Sequence, residues 1–173
     1  MKIEKKWCMP SKNTFTIKPI KELISFYLKN KSGLWIDPFC NNSIFKKDVV
    51  SNDLNPDFPA DYNIEALDFL SMFDDKSVDG VLFDPPYSPR QLKECYNNVG
   101  LSLTQEQTQT RYWSLLKKEI SRITAPSSIC ISFGWNSAGI GKKNGFQQIH
   151  ILLISHGSMH NDTICTVEMK EAK

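Results

Sequence analysis

Four consecutive residues, Asp84, Pro85, Pro86 and Tyr87, follow an apolar run at residues 78–83 and carry the strongest chemical signal in the chain. Proline has no backbone N–H and a fixed φ angle, so two in a row end a strand and hold their carbonyl groups in set directions. The stretch therefore predicts a carboxylate, a fixed carbonyl and an aromatic ring at one strand end. The carboxylate of Asp84 and the carbonyl of Pro85 could accept the two N–H groups of a planar primary amine. Such binding draws the nitrogen toward tetrahedral geometry and frees its lone pair to attack an electrophile.

The surrounding sequence predicts the elements that position these residues. Short apolar runs indicate strands, and apolar residues at spacings of three and four indicate helices. The predicted strands cover residues 33–37, 48–53, 78–84, 128–133, 146–155 and 164–169. The predicted helices cover residues 19–28, 64–73 and 103–124. Alternating strands and helices favour an α/β fold with a mostly parallel sheet covered on both faces. The last two strands lack an intervening helix, so we expect them to form an antiparallel hairpin.

Three acids stand at the carboxyl ends of the first three predicted strands: Asp37, Asp53 and Asp84. In open α/β sheets, ligands bind beyond the carboxyl ends of the strands, so we expect the three carboxylates at one edge. Asp53 is placed to accept hydrogen bonds from ribose hydroxyls, as an acid does in dinucleotide-binding folds. Together the three positions predict a nucleotide-type ligand beside the amine-binding stretch.

These motifs resemble those of a known enzyme class. Residues 84–87 resemble the catalytic motif of S-adenosylmethionine-dependent amino-methyltransferases, above all the adenine-N6 DNA methyltransferases. Residues 37–43 resemble the Asp-Pro-Phe-x-Gly-x-Gly loop of that class, with Asn41 and Ser43 in place of the two glycines. Asparagine tolerates a positive φ angle better than other non-glycine residues, so we expect Asn41 to make the turn. The resemblance implies a Rossmann-like class I methyltransferase fold and S-adenosylmethionine as cofactor.

The resemblance also implies which residues contact the cofactor. Asp68 matches the acid that meets the amino group of the cofactor's adenine, with Phe69 against the ring. Residues 14–23 resemble a Thr-x-Lys-Pro-x-x-Leu element, so Thr16 or Lys18 would meet the carboxylate of the methionine part. The implied cofactor-binding residues are Thr16, Lys18, Asp37, Pro38, Phe39, Asn41, Asp53, Asp68 and Phe69.

On the substrate side, the resemblance implies methyl transfer to the N6 amine of adenine in DNA. Tyr87 would stack on the target base after the base leaves the duplex stack. The glycine-rich, basic segment 134–145 is predicted at the same sheet edge as Asp84, although a solvated surface loop is an equal alternative. The candidate substrate-binding residues are Arg90, Trp135, Asn136, Lys142 and Lys143.

As a whole, residues 14–168 resemble small phage- or mobile-element-type adenine DNA methylases. We expect a single methyltransferase domain over residues 1–173 with no separate target-recognition domain. Recognition would come from loops at residues 88–100 and 135–145, from a partner chain or a homodimer, or it would not be stringent. Two alternatives stay open: methylation of RNA adenine or another amine, and a catalytically degenerate fold kept as a binding or regulatory subunit.

Composition narrows the context of the chain. The net charge of +2 permits a nucleic-acid partner without requiring one. The five cysteines are scattered without a paired motif, which favours a reducing, cytoplasmic compartment over a disulfide framework or a zinc site. His156 and His160 are four residues apart but lack a third ligand nearby, so we expect no metal there. No apolar run reaches the length of a membrane span.

Overall fold

The computed structural model describes residues 1–30, 33–102, 110–157 and 160–172. Its strands are β1 (Lys2–Trp7), β2 (Trp35–Asp37), β3 (Val50–Ser51), β4 (Val78–Phe83), β5 (Thr124–Gly134), β6 (Phe146–Ser155) and β7 (Thr163–Lys170). Its helices are α1 (Lys18–Asn30), α2 (Ala66–Ser71), α3 (Pro89–Asn98) and α4 (Thr110–Ile123), with single 3-10 turns at Thr14–Thr16 and Lys142–Asn144. None of the helices in this part of the chain combines enough length and apolar character to span a bilayer.

The described strands form one sheet in the order β1-β6-β7-β5-β4-β2-β3. β7 runs antiparallel to both of its neighbours, β5 and β6. The other neighbouring strands pair in parallel. The prediction of a mostly parallel sheet with an antiparallel hairpin at its end is therefore confirmed. The carboxyl ends of β2, β3, β4 and β5 lie along one border of the sheet, which we call the carboxyl edge.

Helices cover both faces of the sheet, and each face has its own apolar core. Successive residues of a strand point to opposite faces, so Leu82 packs with Ile24 of α1 on one face. Its neighbour Val81 packs with Phe69 of α2 and Leu116 of α4 on the other. This double burial explains why β4 is an almost continuous apolar run that ends at Phe83. The strand can therefore present only its end, where Asp84 lies, to solvent and ligands.

Strand β1 was not predicted from the sequence. It pairs in parallel with β6, in a register that joins Lys2 to His150 and Trp7 to Ser155. The strand is mostly exposed and half of its residues are lysines. Lysines on an edge strand hinder its pairing with other chains. The same lysines remove the apolar pattern by which a strand is predicted, so β1 was missed.

The segment predicted as a recognition loop, residues 88–100, is largely helical. Ser88 caps α3 because its hydroxyl accepts a hydrogen bond from the N–H of Gln91 at 3.3 Å, and a proline follows at the first helical position. Leu92 and Tyr96 bury one side of the helix. The prediction of a loop here is wrong, because the Ser-Pro pair that resembles a turn is the start of a helix.

The boundary between α4 and β5 also differs from expectation. The predicted helix 103–124 and the predicted strand 128–133 leave a break between them, but α4 ends at Ile123 and β5 begins at once with Thr124. The break survives inside the strand, where Ser127 has a φ angle of 65°. The predicted beginning of this helix, residues 103–109, lies outside the described residues.

Candidate active site

Asp84 stands directly beyond β4 and is the centre of the candidate site. The hydroxyl of Tyr87 donates a hydrogen bond to Asp84 Oδ1. The indole N–H of Trp113 donates to the carbonyl of Pro86 at 3.2 Å, which fixes the turn. Among the described residues, no hydrogen bond reaches the carbonyl of Pro85. The carboxylate of Asp84 and the carbonyl of Pro85 therefore form two neighbouring acceptors at the end of the strand.

The electrostatics of Asp84 suit a group that exchanges protons near neutrality. Burial raises the pKa of Asp84 to about 6, while hydrogen bonds from Tyr87 and Thr14 act to lower it. Burial and the adjacent carboxylate raise the pKa of Tyr87, so its hydroxyl stays protonated and donates. Above pH 6 Asp84 is mainly a charged acceptor that is surrounded by neutral donors.

A cavity of about 560 Å³ opens beside Asp84, toward the carboxyl ends of β2 and β3. We call it the main cavity. Besides Asp84, its acids are Asp53, Glu65 and Glu94. Lys12 is the only lysine or arginine among the described residues that line it. The aromatic residues that line it are Phe39, Phe58, Tyr87, Tyr96 and Tyr112.

Asp53 lines the main cavity and holds the loop after β2. Its Oδ2 accepts a hydrogen bond from the N–H of Asn41 at 2.8 Å, and its Oδ1 accepts one from the N–H of Asn55 at 2.9 Å. Asn41 has a φ angle of 44°, so the predicted positive angle at this position is found. Burial raises the pKa of Asp53 and these two bonds oppose the rise. Each carboxylate oxygen keeps a lone pair for a ligand hydroxyl.

Asp37 lies beneath the same loop and does not line the main cavity. It is fully buried, its Oδ1 accepts from the N–H of Phe39 at 3.1 Å, and its Oδ2 has no hydrogen-bond partner among the described residues. Burial raises its pKa well above the usual range, and the charges of Asp84 and Asp53 add to the rise. Its neighbours Pro38 and Phe39 form part of the cavity wall. Asp37 therefore shapes the loop from below, while Pro38 and Phe39 face the cavity.

The acid at the far end of the main cavity is Glu65, and the assignment of Asp68 and Phe69 is corrected. Asp68 is exposed on α2, and Phe69 is fully buried in the core, so neither lines the cavity. Glu65 immediately precedes α2 and accepts hydrogen bonds from the hydroxyls of Tyr96 and Tyr112. The motif indicated Asp68 rather than Glu65 because the two acids, one before α2 and one in its first turn, are only three residues apart.

A similar shift applies to the segment before α1. Thr16 is exposed, and its hydroxyl donates to the carbonyl of Asn13 at 2.7 Å, while Lys18 is exposed at the start of α1. Neither lines the main cavity, contrary to the expectation that one of them meets the cofactor's carboxylate. Thr14 and Lys12 do line it. The 3-10 turn rotates this segment so that the earlier threonine and lysine face the site.

Residues 8–13, which we call the connector, join β1 to this 3-10 turn along the carboxyl edge. The N–H of Cys8 donates to the carbonyl of Ser155 at 3.2 Å. The ring of His156 bonds the carbonyl of Cys8 through Nδ1 and the hydroxyl of Thr163 through Nε2, both at 2.8 Å. His156 therefore anchors the connector to the β6–β7 hairpin. Within the part of the chain that the structure describes, no cluster of three or more potential metal ligands is found.

The substrate-side predictions have mixed outcomes. Trp135 follows β5 at the carboxyl edge, and its ring contacts that of Tyr87 edge to face, with centroids 5.5 Å apart. Asn136 uses its side-chain oxygen to accept the N–H of Ala138 at 2.9 Å. Arg90 is exposed on α3 and pairs with Glu94 at 3.0 Å. Of these three residues, only Trp135 has a contact with the stretch 84–87, through the ring of Tyr87.

Lys142 and Lys143 lie at the opposite edge of the sheet from Asp84, and their predicted placement is wrong. β6 runs parallel to β5, because both are antiparallel to β7. The segment between them must therefore cross from one edge to the other before it enters β6 at Phe146. The contacts agree, since the carbonyl of Asn144 accepts the hydroxyl of Ser121, in the last turn of α4 before β5 begins.

The sheet order, the closing antiparallel hairpin and a ligand-sized cavity at the carboxyl edge define a Rossmann-like α/β protein with the class I methyltransferase fold. No family model matches the sequence, and no curated protein matches it. Comparison with solved structures finds this fold across nearly the whole chain.

Three of the similar structures illustrate the likeness. The N-methyltransferase NodS from Bradyrhizobium japonicum WM9 has a TM-score of 0.59 at 9% identity, over 93% of this chain and 99% of that one. A SAM-dependent methyltransferase from Archaeoglobus fulgidus has a TM-score of 0.59 at 12% identity, over 88% and 92%. The 1,6-didemethyltoxoflavin-N1-methyltransferase of Burkholderia thailandensis, with 1,6-didemethyltoxoflavin and S-adenosylhomocysteine bound, has a TM-score of 0.55 at 9% identity, over 90% and 78%. At these identities the likeness establishes the fold.

Proposed function

We propose that this chain is an S-adenosylmethionine-dependent methyltransferase that acts on an exocyclic amine, and that its substrate is the N6 amine of adenine in DNA. The observation that carries the proposal is the pair of acceptors at the end of β4. Asp84 and the carbonyl of Pro85 lie together at the wall of the main cavity, and Asp53 stands on the same wall. Two of the similar structures are named as N-methyltransferases, which agrees with an amine acceptor.

The chemistry of the main cavity fits S-adenosylmethionine. Asp53 offers acceptors for ribose hydroxyls, Glu65 with its two tyrosines offers polar groups for the adenine edge, and Phe39 offers an apolar wall for the ring. Lys12 is the cation available for the carboxylate of the methionine part. The cofactor supplies a methyl group on a positively charged sulfur. The acidic surroundings of Asp53, Glu65 and Asp84 favour that positive charge at the cavity.

The residues of the chain supply positioning and proton handling. Asp84 and the carbonyl of Pro85 accept the two N–H groups of the amine, which frees the nitrogen lone pair that the aromatic ring otherwise delocalises. Holding the reacting groups in this way supplies on the order of 7–11 kcal/mol of the barrier. The proton released after transfer passes to Asp84 or to water. With a pKa of about 6, Asp84 accepts a proton readily near neutrality and returns it to solvent.

The direct test is methylation with isotopically labelled S-adenosylmethionine. Duplex DNA, single-stranded DNA, total tRNA and a panel of small aromatic amines serve as acceptors, and mass spectrometry identifies the product. We expect N6-methyladenine in DNA. The Asp84→Ala variant should lose transfer while calorimetry shows unchanged binding of S-adenosylhomocysteine. Cofactor binding without N6-methyladenine in any DNA would refute the adenine assignment, and no cofactor binding at all would favour a degenerate binding subunit.

One observation favours a second candidate, a small aromatic amine. A protein that grips DNA neutralises phosphates with clustered lysine and arginine. At the main cavity Lys12 is the only such residue among the described lining, Arg90 is paired with Glu94, and the Lys142–Lys143 pair lies at the opposite edge. The amine panel in the same assay separates the two, because product on a small amine with none on DNA would select this candidate.

A further inference from the structure

Tyr87 is held at both its backbone and its hydroxyl. Its backbone N–H donates to the side-chain oxygen of Gln91 at 2.7 Å, and its hydroxyl donates to Asp84. Its ring is only partly exposed and packs against the apolar core on the α1 face of the sheet. Tyr87 also lines the main cavity, but part of its ring is covered by this packing and its hydroxyl is bound, so the ring has little freedom to adjust to a substrate. Its hydroxyl is the polar neighbour of the catalytic carboxylate.

Trp135 has the properties that Tyr87 lacks. Its side chain is 44% exposed although it is large and aromatic. It follows β5, on the opposite side of Asp84 from β2 and β3, so it does not face the cofactor wall of the main cavity. Its ring meets that of Tyr87 at 69° with centroids 5.5 Å apart. A flat ring laid on Trp135 would therefore reach toward Asp84 without entering the space of the cofactor.

We propose that Trp135 is the stacking surface for the ring of the target amine, and that Tyr87 is a positioning residue that orients the Asp84 carboxylate through its hydroxyl. The proposal rests on the proposed function, since it concerns the acceptor side of the same site. It assigns the two aromatic residues different tasks, where the sequence motif alone gives stacking to Tyr87. An exposed indole beside the carboxylate fits a purine or another fused aromatic ring, because base–aromatic stacking tolerates many flat rings.

The positioning half is tested without any substrate. In the Tyr87→Phe variant the ring stays and the hydroxyl goes, so Asp84 loses a bond that lowers its pKa. Carboxyl-carbon NMR of Asp84 should show its titration midpoint moving upward from about 6. An unchanged midpoint would overturn the positioning role. Where transfer is measurable, the acid limb of the pH–rate profile should move in the same direction, which loss of packing alone would not produce.

The stacking half is tested by the Trp135→Ala variant. Loss of one base–aromatic stack corresponds to a roughly 5- to 150-fold loss of affinity, so KM for an adenine-containing single-stranded oligonucleotide should rise by that factor while kcat changes little. Trp135→Phe should restore most of the affinity. Trp7→Ala is the matched control, because Trp7 is 66% exposed on β1 and is far along the sheet from Asp84. An unchanged KM in Trp135→Ala, or an equal rise in Trp7→Ala, would overturn the assignment.

Failure of the proposed function and failure of this inference would give different experimental results. If the proposed function is wrong, the unsubstituted chain transfers no methyl group to any acceptor, yet the titration of Asp84 in Tyr87→Phe still decides the positioning role. If only this inference is wrong, transfer proceeds and the Trp135 variants behave like the control. Should Tyr87→Ala raise KM more than Trp135→Ala, stacking belongs to Tyr87 and the division of tasks is refuted.

Discussion

The two sides of Asp84 are built differently. Toward β2 and β3, the acids of the main cavity are held by the chain itself: Asp53 by two backbone N–H groups and Glu65 by two tyrosine hydroxyls. Toward β5 lies Trp135, a half-exposed side chain that directly follows the strand and contacts the ring of Tyr87. A preorganised site avoids the cost of ordering side chains when its ligand binds. The contrast agrees with the proposal that the cofactor binds on the side of β2 and β3 and the acceptor on the side of β5.

The contrast also has an electrostatic form. Burial raises the pKa of both Asp53, on the side of β2 and β3, and Asp84, at the centre of the site. Asp53 accepts hydrogen bonds from backbone N–H groups, whereas Asp84 accepts them from the side chains of Tyr87 and Thr14. The following predictions test this comparison, from the largest expected effect to the smallest.

The Asp84→Asn variant should lose transfer by on the order of 10²-fold or more, because it removes the charge that draws on the amine. It should also stabilise the fold. The pKa of Asp84 is raised to about 6 from an ordinary value near 3.8, so its ionisation destabilises the folded state increasingly from pH 4 to 6 and fully above that. Urea unfolding at pH 7.5 should show the variant roughly 1–3 kcal/mol more stable.

Most of the stabilisation should be lost at pH 4, where Asp84 is protonated in the folded state and about half protonated in the unfolded state. Asp68→Asn is the control, because Asp68 is exposed. If the difference in the free energy of unfolding between Asp84→Asn and the unsubstituted chain were the same at both pH values, ionised Asp84 would not destabilise the folded state.

The pH dependence of kcat/KM should follow the charge of Asp84. Since the charged form is the better acceptor, activity should be constant above about pH 6.5 and fall by about tenfold per pH unit below pH 6. The residual activity of Asp84→Asn should lack this acid limb. A limb that persists in that variant would belong to another group, and Asp53 would be the first residue to examine.

Glu65→Gln should weaken binding of S-adenosylhomocysteine by about 2- to 12-fold, because a hydrogen bond typically contributes roughly 0.5–1.5 kcal/mol net. Asp68→Asn should leave the affinity unchanged. Isothermal titration calorimetry of the two variants decides whether the acid before α2 or the acid within it faces the cofactor. Equal losses in both, or a loss only in Asp68→Asn, would reverse the correction made from the structure.

Lys12→Ala should weaken cofactor binding by about 2- to 5-fold, and the difference should shrink at 0.5 M salt, because one partly solvated charge contributes about 1 kcal/mol or less. Lys18→Ala is the matched control on the same segment. A larger effect in Lys18→Ala would show that Lys18, as the motif indicated, binds the cofactor's carboxylate.

The sequence predicts the residues of this site that lie at strand ends. It misplaces residues whose direction depends on a helical turn or on the path of a connecting segment. Asp53 and Asp84 were predicted because an acid that directly follows a buried strand must lie at the carboxyl edge of the sheet. Lys142 and Lys143 were misplaced because a glycine-rich segment does not reveal which edge it reaches. Glu65 and Lys12 were missed because they lie three and six residues from the motif positions Asp68 and Lys18, so a turn of helix or a 3-10 turn decides which faces the cavity.

The same limit explains the fold-level errors. The parallel strands in the centre of the sheet are buried on both faces, so they can be recognised in the sequence as apolar runs. β1 is an exposed edge strand with three lysines, and its only described neighbour, β6, lies more than 140 residues away in sequence. Nothing local in residues 2–7 signals that pairing. Pairings of this kind depend on tertiary context that the sequence pattern does not carry.

The pairing of β1 with β6 bears on the order in which the candidate site is assembled during synthesis. The connector that brings Lys12 and Thr14 to the main cavity is held by β1, Ser155 and His156. A nascent chain that has emerged as far as β5 already contains Asp53 and Asp84, but β6, the strand on which β1 docks, has not yet been made. The side of the main cavity that carries Lys12 and Thr14 is therefore completed only after β6 has left the ribosome.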